Sequence, residues 1–108
     1  MILYHLTPVK NLESILQNGL IPQIGPRSEH VGEKQAAVFC YPEEDYVEGA
    51  LEGWIKDYFP NDLKFAIIEI NLPKKIKLEV ENDFEVACFE HISPKYIVAC
   101  YDIEWNKI

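Results

Sequence analysis

Residues 1–22 read MILYHLTPVKNLESILQNGLIP, and the fold turns on how they divide. Ile2 to Leu6 is a short run of β-branched, aromatic and apolar residues and predicts a strand. Alternation places Ile2, Tyr4 and Leu6 on one face and Leu3 and His5 on the other. Thr7-Pro8 then predicts a helix start, with threonine as N-cap and proline at the first helical position. Leu12, Ile15 and Leu16 fall on one helix face, and Asn18-Gly19 supplies a stop. Gly19 is expected at positive φ, which glycine reaches at little steric cost. Folding rules account for everything in this stretch except His5.

Beyond it, residues 21–35 carry two prolines and two glycines and predict a long loop, a length usually tied to function. Ala36 to Tyr41 predicts a second strand. Pro42-Glu43-Glu44-Asp45 opens a second helix, with acidic residues where the helix dipole favours them. Val47, Ala50, Leu51, Trp54, Ile55 and Tyr58 recur at helical spacing along one face, and Phe59-Pro60-Asn61-Asp62 ends the run. Four strands follow, at Lys64–Asn71, Ile76–Val80, Phe84–Glu90 and Tyr96–Trp105, divided by Pro and Asn/Asp turns. The order β-α-β-α-β-β-β-β predicts an α+β fold with a mixed or mostly antiparallel sheet and two helices. At 108 residues the expectation is one domain, residues 1–108.

Bulk properties remove several functions. The net charge is −8 and Arg27 is the single arginine, so a generic nucleic-acid surface, which needs clustered cations, is not expected. The basic cluster Pro73-Lys74-Lys75-Ile76-Lys77 reads as a solvated turn. No apolar run approaches the roughly 20 residues that span a bilayer. The start MILYHLTP lacks the features of a signal peptide, so a cytoplasmic location is expected. Cys40, Cys88 and Cys100 lie in apolar runs with no CxxC spacing and predict buried, reduced thiols. His5, His30 and His91 share no metal-ligand spacing, and no metal is expected. Phosphate-loop, GxSxG and HExxH motifs are absent from the sequence.

Two polar residues inside strand patterns remain. His5 reads either as a hydrogen-bonded structural residue or as part of a site. Glu85, at the head of Phe84-Glu85-Val86-Ala87-Cys88-Phe89, reads either as a solvent-facing strand residue or as a buried functional carboxylate. Glu69, in the middle of FAIIEINL, has the same ambiguity and no further support.

The order of the segments narrows the choice. His5-Leu6-Thr7 precedes Asn11-Leu12-Glu13-Ser14-Ile15-Leu16-Gln17-Asn18-Gly19-Leu20; then come a loop, the strand Ala36-Ala37-Val38-Phe39-Cys40, a helix, and Glu85 to Phe89 ahead of Lys95-Tyr96-Ile97. This resembles the ADP-ribosyltransferase superfamily, in the diphtheria-toxin-like branch that includes the poly(ADP-ribose) polymerases. The family's H-G-T motif falls on His5 to Thr7, and its N-x-x-x-I-L-x-x-G-L run on Asn11 to Leu20. Its G-I-Y-F-A strand falls on Ala36 to Cys40, and its E-Y-I-V-Y strand on Glu85 to Phe89.

The resemblance implies a split sheet with NAD, a substrate, in the cleft between its halves. His5 would hydrogen-bond a ribose, the Leu6 backbone would grip the carboxamide, and Thr7 would add a ribose contact. Glu85 would bind the 2′-hydroxyl of the nicotinamide ribose and stabilise the oxocarbenium-like state as nicotinamide leaves. Arg27 is the guanidinium available to a pyrophosphate. The family's glycine is Leu6 here, and its stacking tyrosine is Val38, for which Phe39, Tyr41 or Tyr46 would stand in. The implied activity is ADP-ribosyl transfer to an acceptor such as a protein, or NAD hydrolysis. The alternative is a degenerate binding or regulatory module of the same fold, of phage or mobile-element origin. RNA 2′-phosphotransferase chemistry ranks last, because it calls for several arginines around a phosphate.

Overall fold

The run FAIIEIN decides where the core sits. A computed structural model describes residues 1–23, 36–60 and 62–108, with Tyr58 by its backbone only. In it Phe65–Asn71 forms a central strand with apolar side chains on both faces: Phe65, Ala66, Ile67, Ile68 and Ile70 are all buried. A strand that is apolar at nearly every position requires cover on both sides.

In chain order the elements are β1 (Ile2–Pro8), a 3-10 turn (Val9–Asn11), α1 (Leu12–Asn18) and β2 (Val38–Cys40). They continue with α2 (Glu44–Glu52), α3 (Trp54–Tyr58), β3 (Phe65–Asn71), β4 (Glu79–Val80), β5 (Val86–Cys88), a second 3-10 turn (Pro94–Tyr96) and β6 (Ile97–Tyr101). The class is α+β. Among the described residues, two three-stranded sheets form, ordered β1-β3-β6 and β2-β5-β4, and every pairing is antiparallel.

Ile68 and Ile70 join Leu3, Leu20, Val38, Cys40, Cys88, Ile92 and Cys100 in one cluster, between the two sheets and under Leu12 and Ile15. Phe65 and Ile67 join Tyr41, Val47, Ala50 and Ile55 in a second cluster beneath α2 and α3. The three cysteines are free and buried, as their apolar flanks predict. Among the described residues, no helix is long and apolar enough to cross a membrane.

Several boundaries differ from the sequence reading. Thr7-Pro8 does not start the helix. β1 runs through Pro8, with Thr7 paired to Ala66 and Pro8 to Phe65, and the chain becomes helical only at Val9. Ladder bonds along an edge strand outweigh a local capping preference, and proline is tolerated at such an edge. Leu16 is exposed, whereas Leu12 and Ile15 pack inward. The second helix is broken at Gly53, whose backbone (φ −100°, ψ −110°) is not helical. β6 ends at Tyr101, because the Asp102 carboxylate accepts the backbone N–H groups of Glu104 and Asn106 and turns the chain back. β4 and β5 are shorter than the runs Ile76–Val80 and Phe84–Glu90, since residues 81–85 form the hairpin loop between them. Pro73 to Lys77 is a turn with Lys74, Lys75 and Lys77 exposed.

Candidate functional site

Among the described residues, one reciprocal pair of backbone hydrogen bonds joins β1 to the end of β2. Tyr4 N–H donates to the Tyr41 carbonyl at 2.9 Å, and Tyr41 N–H returns a bond to Tyr4 at 2.7 Å. A continued antiparallel ladder would next pair Leu6 with Phe39, two residues along each strand. That pair does not form. Instead the Phe39 carbonyl accepts from His5 Nδ1 at 2.8 Å. The imidazole therefore supplies the hydrogen bond that the ladder gives up, and β1 and β2 part without leaving that half-buried carbonyl unpaired.

A cavity of about 470 Å³ opens where they part. His5, Leu6 and Thr7 line it from β1, Phe39 and Tyr41 from β2 and its end, and Glu85 from the head of β5. The residues the resemblance singles out at the two ends of the chain thus share one wall system. Tyr46 does not line this cavity; it lines a smaller neighbour together with Tyr41, Trp54 and Glu85. Arg27 lies outside the described residues, as does His30.

A carbonyl can only accept, so Nδ1 carries the proton of the His5–Phe39 bond. Burial pushes the His5 pKa below its ordinary 6.5, and the Phe39 bond offsets only part of that shift. At neutral pH the ring is therefore neutral and its Nε2 is a hydrogen-bond acceptor. A sugar hydroxyl is a suitable donor for it. The assignment predicts a pH dependence. The unfolded chain takes up a proton near pH 6.5, while the folded ring resists until lower pH. Stability is therefore complete above 6.5 and lost as pH falls from 6.5 through the lower folded value. In thermal melts between about pH 7.5 and 5, wild type should lose more stability than His5→Gln, whose amide can still donate to Phe39. Parallel pH profiles would refute the neutral ring.

Glu85 is 4% exposed. It is placed by Asn82, whose Oδ1 accepts the backbone N–H groups of Phe84 at 2.7 Å and Glu85 at 2.9 Å, while its Nδ2 donates to Glu85 Oε1 at 3.2 Å. The hairpin loop thus orients the carboxylate through one asparagine. Thr7 is 3% exposed, with Asn11 Nδ2 donating to its Oγ1 at 3.5 Å. Glu69 lies elsewhere, accepting from the Tyr101 hydroxyl at 2.8 Å. Burial, with the Cys88 sulfur and the Glu85 carboxylate nearby, pushes the Cys40 thiol far up, so it is no nucleophile.

Three contributors escaped the sequence reading. Trp54 and Phe59 line the cleft, and Trp54 Nε1 donates to the Tyr41 hydroxyl at 3.1 Å. The helical periodicity marks Trp54 as inward-facing, but only the docking of α3 puts it beside Tyr41. Lys10, in the 3-10 turn, is the one cation among the described residues of the wall and can face an anionic group. Among the described residues, no three His, Cys, Asp or Glu side chains gather as a metal requires. The arrangement offers a neutral acceptor, a buried carboxylate, aromatic faces and one peripheral cation: the parts that a flat, hydroxyl-bearing ligand with an anionic end would use.

The sequence matches no protein-family model, and no curated protein matches it.

Proposed function

We propose that this chain is an ADP-ribosyltransferase-like domain that binds NAD in the cleft between its sheets. The reaction breaks the C–N bond between ribose and nicotinamide, and the bonding pair leaves with nicotinamide. A nucleophile of an acceptor such as a protein, or water, then attacks the ribose carbon and gives up its proton. One observation carries the reading: His5 and Glu85, at opposite ends of the sequence, line a single cavity together with Phe39 and Tyr41.

His5 Nε2 would accept from a ribose hydroxyl. The Glu85 carboxylate, itself 4% exposed, would face the cationic character that grows as nicotinamide departs. Phe39, Tyr41, Trp54 and Phe59 offer faces for the nicotinamide ring in place of the family's tyrosine, and Lys10 joins Arg27 as a candidate for the diphosphate. Three buried free thiols suit a reducing compartment, and we place the protein in the cytoplasm.

A second reading, a binding module of the same fold without turnover, is favoured by Leu6. That residue lines the cleft where the family keeps a glycine, and it packs against the cluster beneath α2 and α3. Calorimetry with NAD, paired with a nicotinamide-release assay, separates the two. Wild type should bind, and His5→Ala should weaken binding about 10-fold, the upper end of what one neutral hydrogen bond contributes. Binding without nicotinamide release would leave the module reading. Failure of folded wild type to bind NAD would remove both as NAD proteins.

A further inference from the structure

Behind Glu85 lies a second cavity, of about 310 Å³, on the α2 side of the main cleft. Its walls are the rings of Tyr41, Tyr46, Trp54 and Phe84, with Asp45 and Glu85 as its charged members. No lysine or arginine lines it among the described residues. Tyr46 and Phe84 meet edge to face at 5.2 Å, and Phe84, on the hairpin loop, leaves 54% of its surface exposed.

We propose that this cavity binds an organic cation, a guanidinium or ammonium group carried on a flat or short apolar body. Aromatic faces present the negative side of their quadrupole to a positive group. Asp45, in the first turn of α2, and Glu85 supply two anionic partners. An anion would meet two like charges and no basic side chain. Ring faces offer a metal ion no oxygen ligands, whereas they attract an organic cation directly. The surroundings carry the same sign: the Tyr46 pKa is raised first by its hydrogen bond to Glu43, then by the charges of Glu43, Asp83 and Asp45. Nothing in this inference depends on what fills the larger cleft.

The test is a titration of the full chain with phenylguanidinium and with its neutral isostere phenylurea, read by calorimetry and by NMR shifts. The cation should bind about tenfold tighter than the urea, the gain of one partly desolvated cation–π contact with a carboxylate partner. Asp45→Asn should remove most of that preference, and Tyr46→Ala should weaken both probes. His5→Ala should change neither, which separates this site from the NAD cleft. Glu13→Gln, on the exposed face of α1, controls for attraction to an acidic surface and should also leave the preference intact. Four results would overturn the proposal: equal binding of the two probes, a preference that survives Asp45→Asn, a preference that falls equally in Glu13→Gln, or no phenylguanidinium binding at about 10 mM.

Discussion

Glu85→Gln is expected to bind NAD within a few-fold of wild type and to release nicotinamide at least ~100-fold more slowly, the usual cost of deleting one preorganised electrostatic group. The substitution keeps size and shape. Its amide oxygen can still accept from Asn82 Nδ2, the 3.2 Å bond that orients the native carboxylate. What it removes is the negative charge, which matters little to neutral ribose hydroxyls but much to a developing oxocarbenium ion. Affinity and rate therefore separate, and that separation is the diagnostic. A melting temperature near that of wild type shows that the loss is not unfolding. Equal release by Glu85→Gln and wild type would take the carboxylate out of the mechanism. Loss of NAD binding with the fold intact would make Glu85 a binding group instead.

Gly19→Ala is expected to cost about 4 kcal/mol of stability, at the upper end for point substitutions. Gly19 sits at φ 83° and ψ −169°, a region essentially closed to residues with a side chain. A Cβ there would also collide with the Ile92 carbonyl oxygen and crowd His91 Nε2. That oxygen cannot move freely, because Leu20 and Ile92 exchange backbone bonds of 2.9 Å in both directions and so tie the end of α1 to the segment before β6. Backbone strain and a broken bridge add, and thermal melts should show a drop of roughly 15 °C or more for a domain of this size. Gly49→Ala is the contrast. Its Cβ would meet nothing within 4 Å on α2, so stability should hold or rise by up to ~1 kcal/mol. Comparable losses at both positions would show that the Gly19 turn does not set the effect.

Gly19 also shows what kind of information a sequence carries well. Its role as a helix stop at positive φ is legible from Asn18-Gly19 because the constraint is local. The same is true of the amphipathic face of α2, the apolar flanks that bury the three cysteines, and the class of the fold. Local rules failed at three element boundaries. Thr7-Pro8 has the chemistry of a helix start, yet pairing with Phe65 and Ala66 keeps it in β1. The second helix stops at Gly53 although its apolar spacing continues past that point. Tyr96–Trp105 reads as one strand, yet the Asp102 carboxylate ends it early by capturing two backbone N–H groups.

The candidate site divides along the same line. By itself the sequence determines that His5 and Glu85 are polar residues set in strand patterns, that little positive charge is available, and that the chain folds as strands plus two amphipathic helical runs. Each follows from periodicity and composition, which act over a few residues at a time. Only the tertiary structure decides that the sheet parts after Tyr4–Tyr41, that His5 takes the Phe39 carbonyl as it parts, and that Glu85, Trp54, Phe59 and Lys10 line the gap so formed. The physical reason is the missing ladder bond between β1 and β2. Whether the Phe39 carbonyl is satisfied by a backbone N–H or by a histidine 34 residues away is settled by how two sheets dock, and no local pattern encodes that choice.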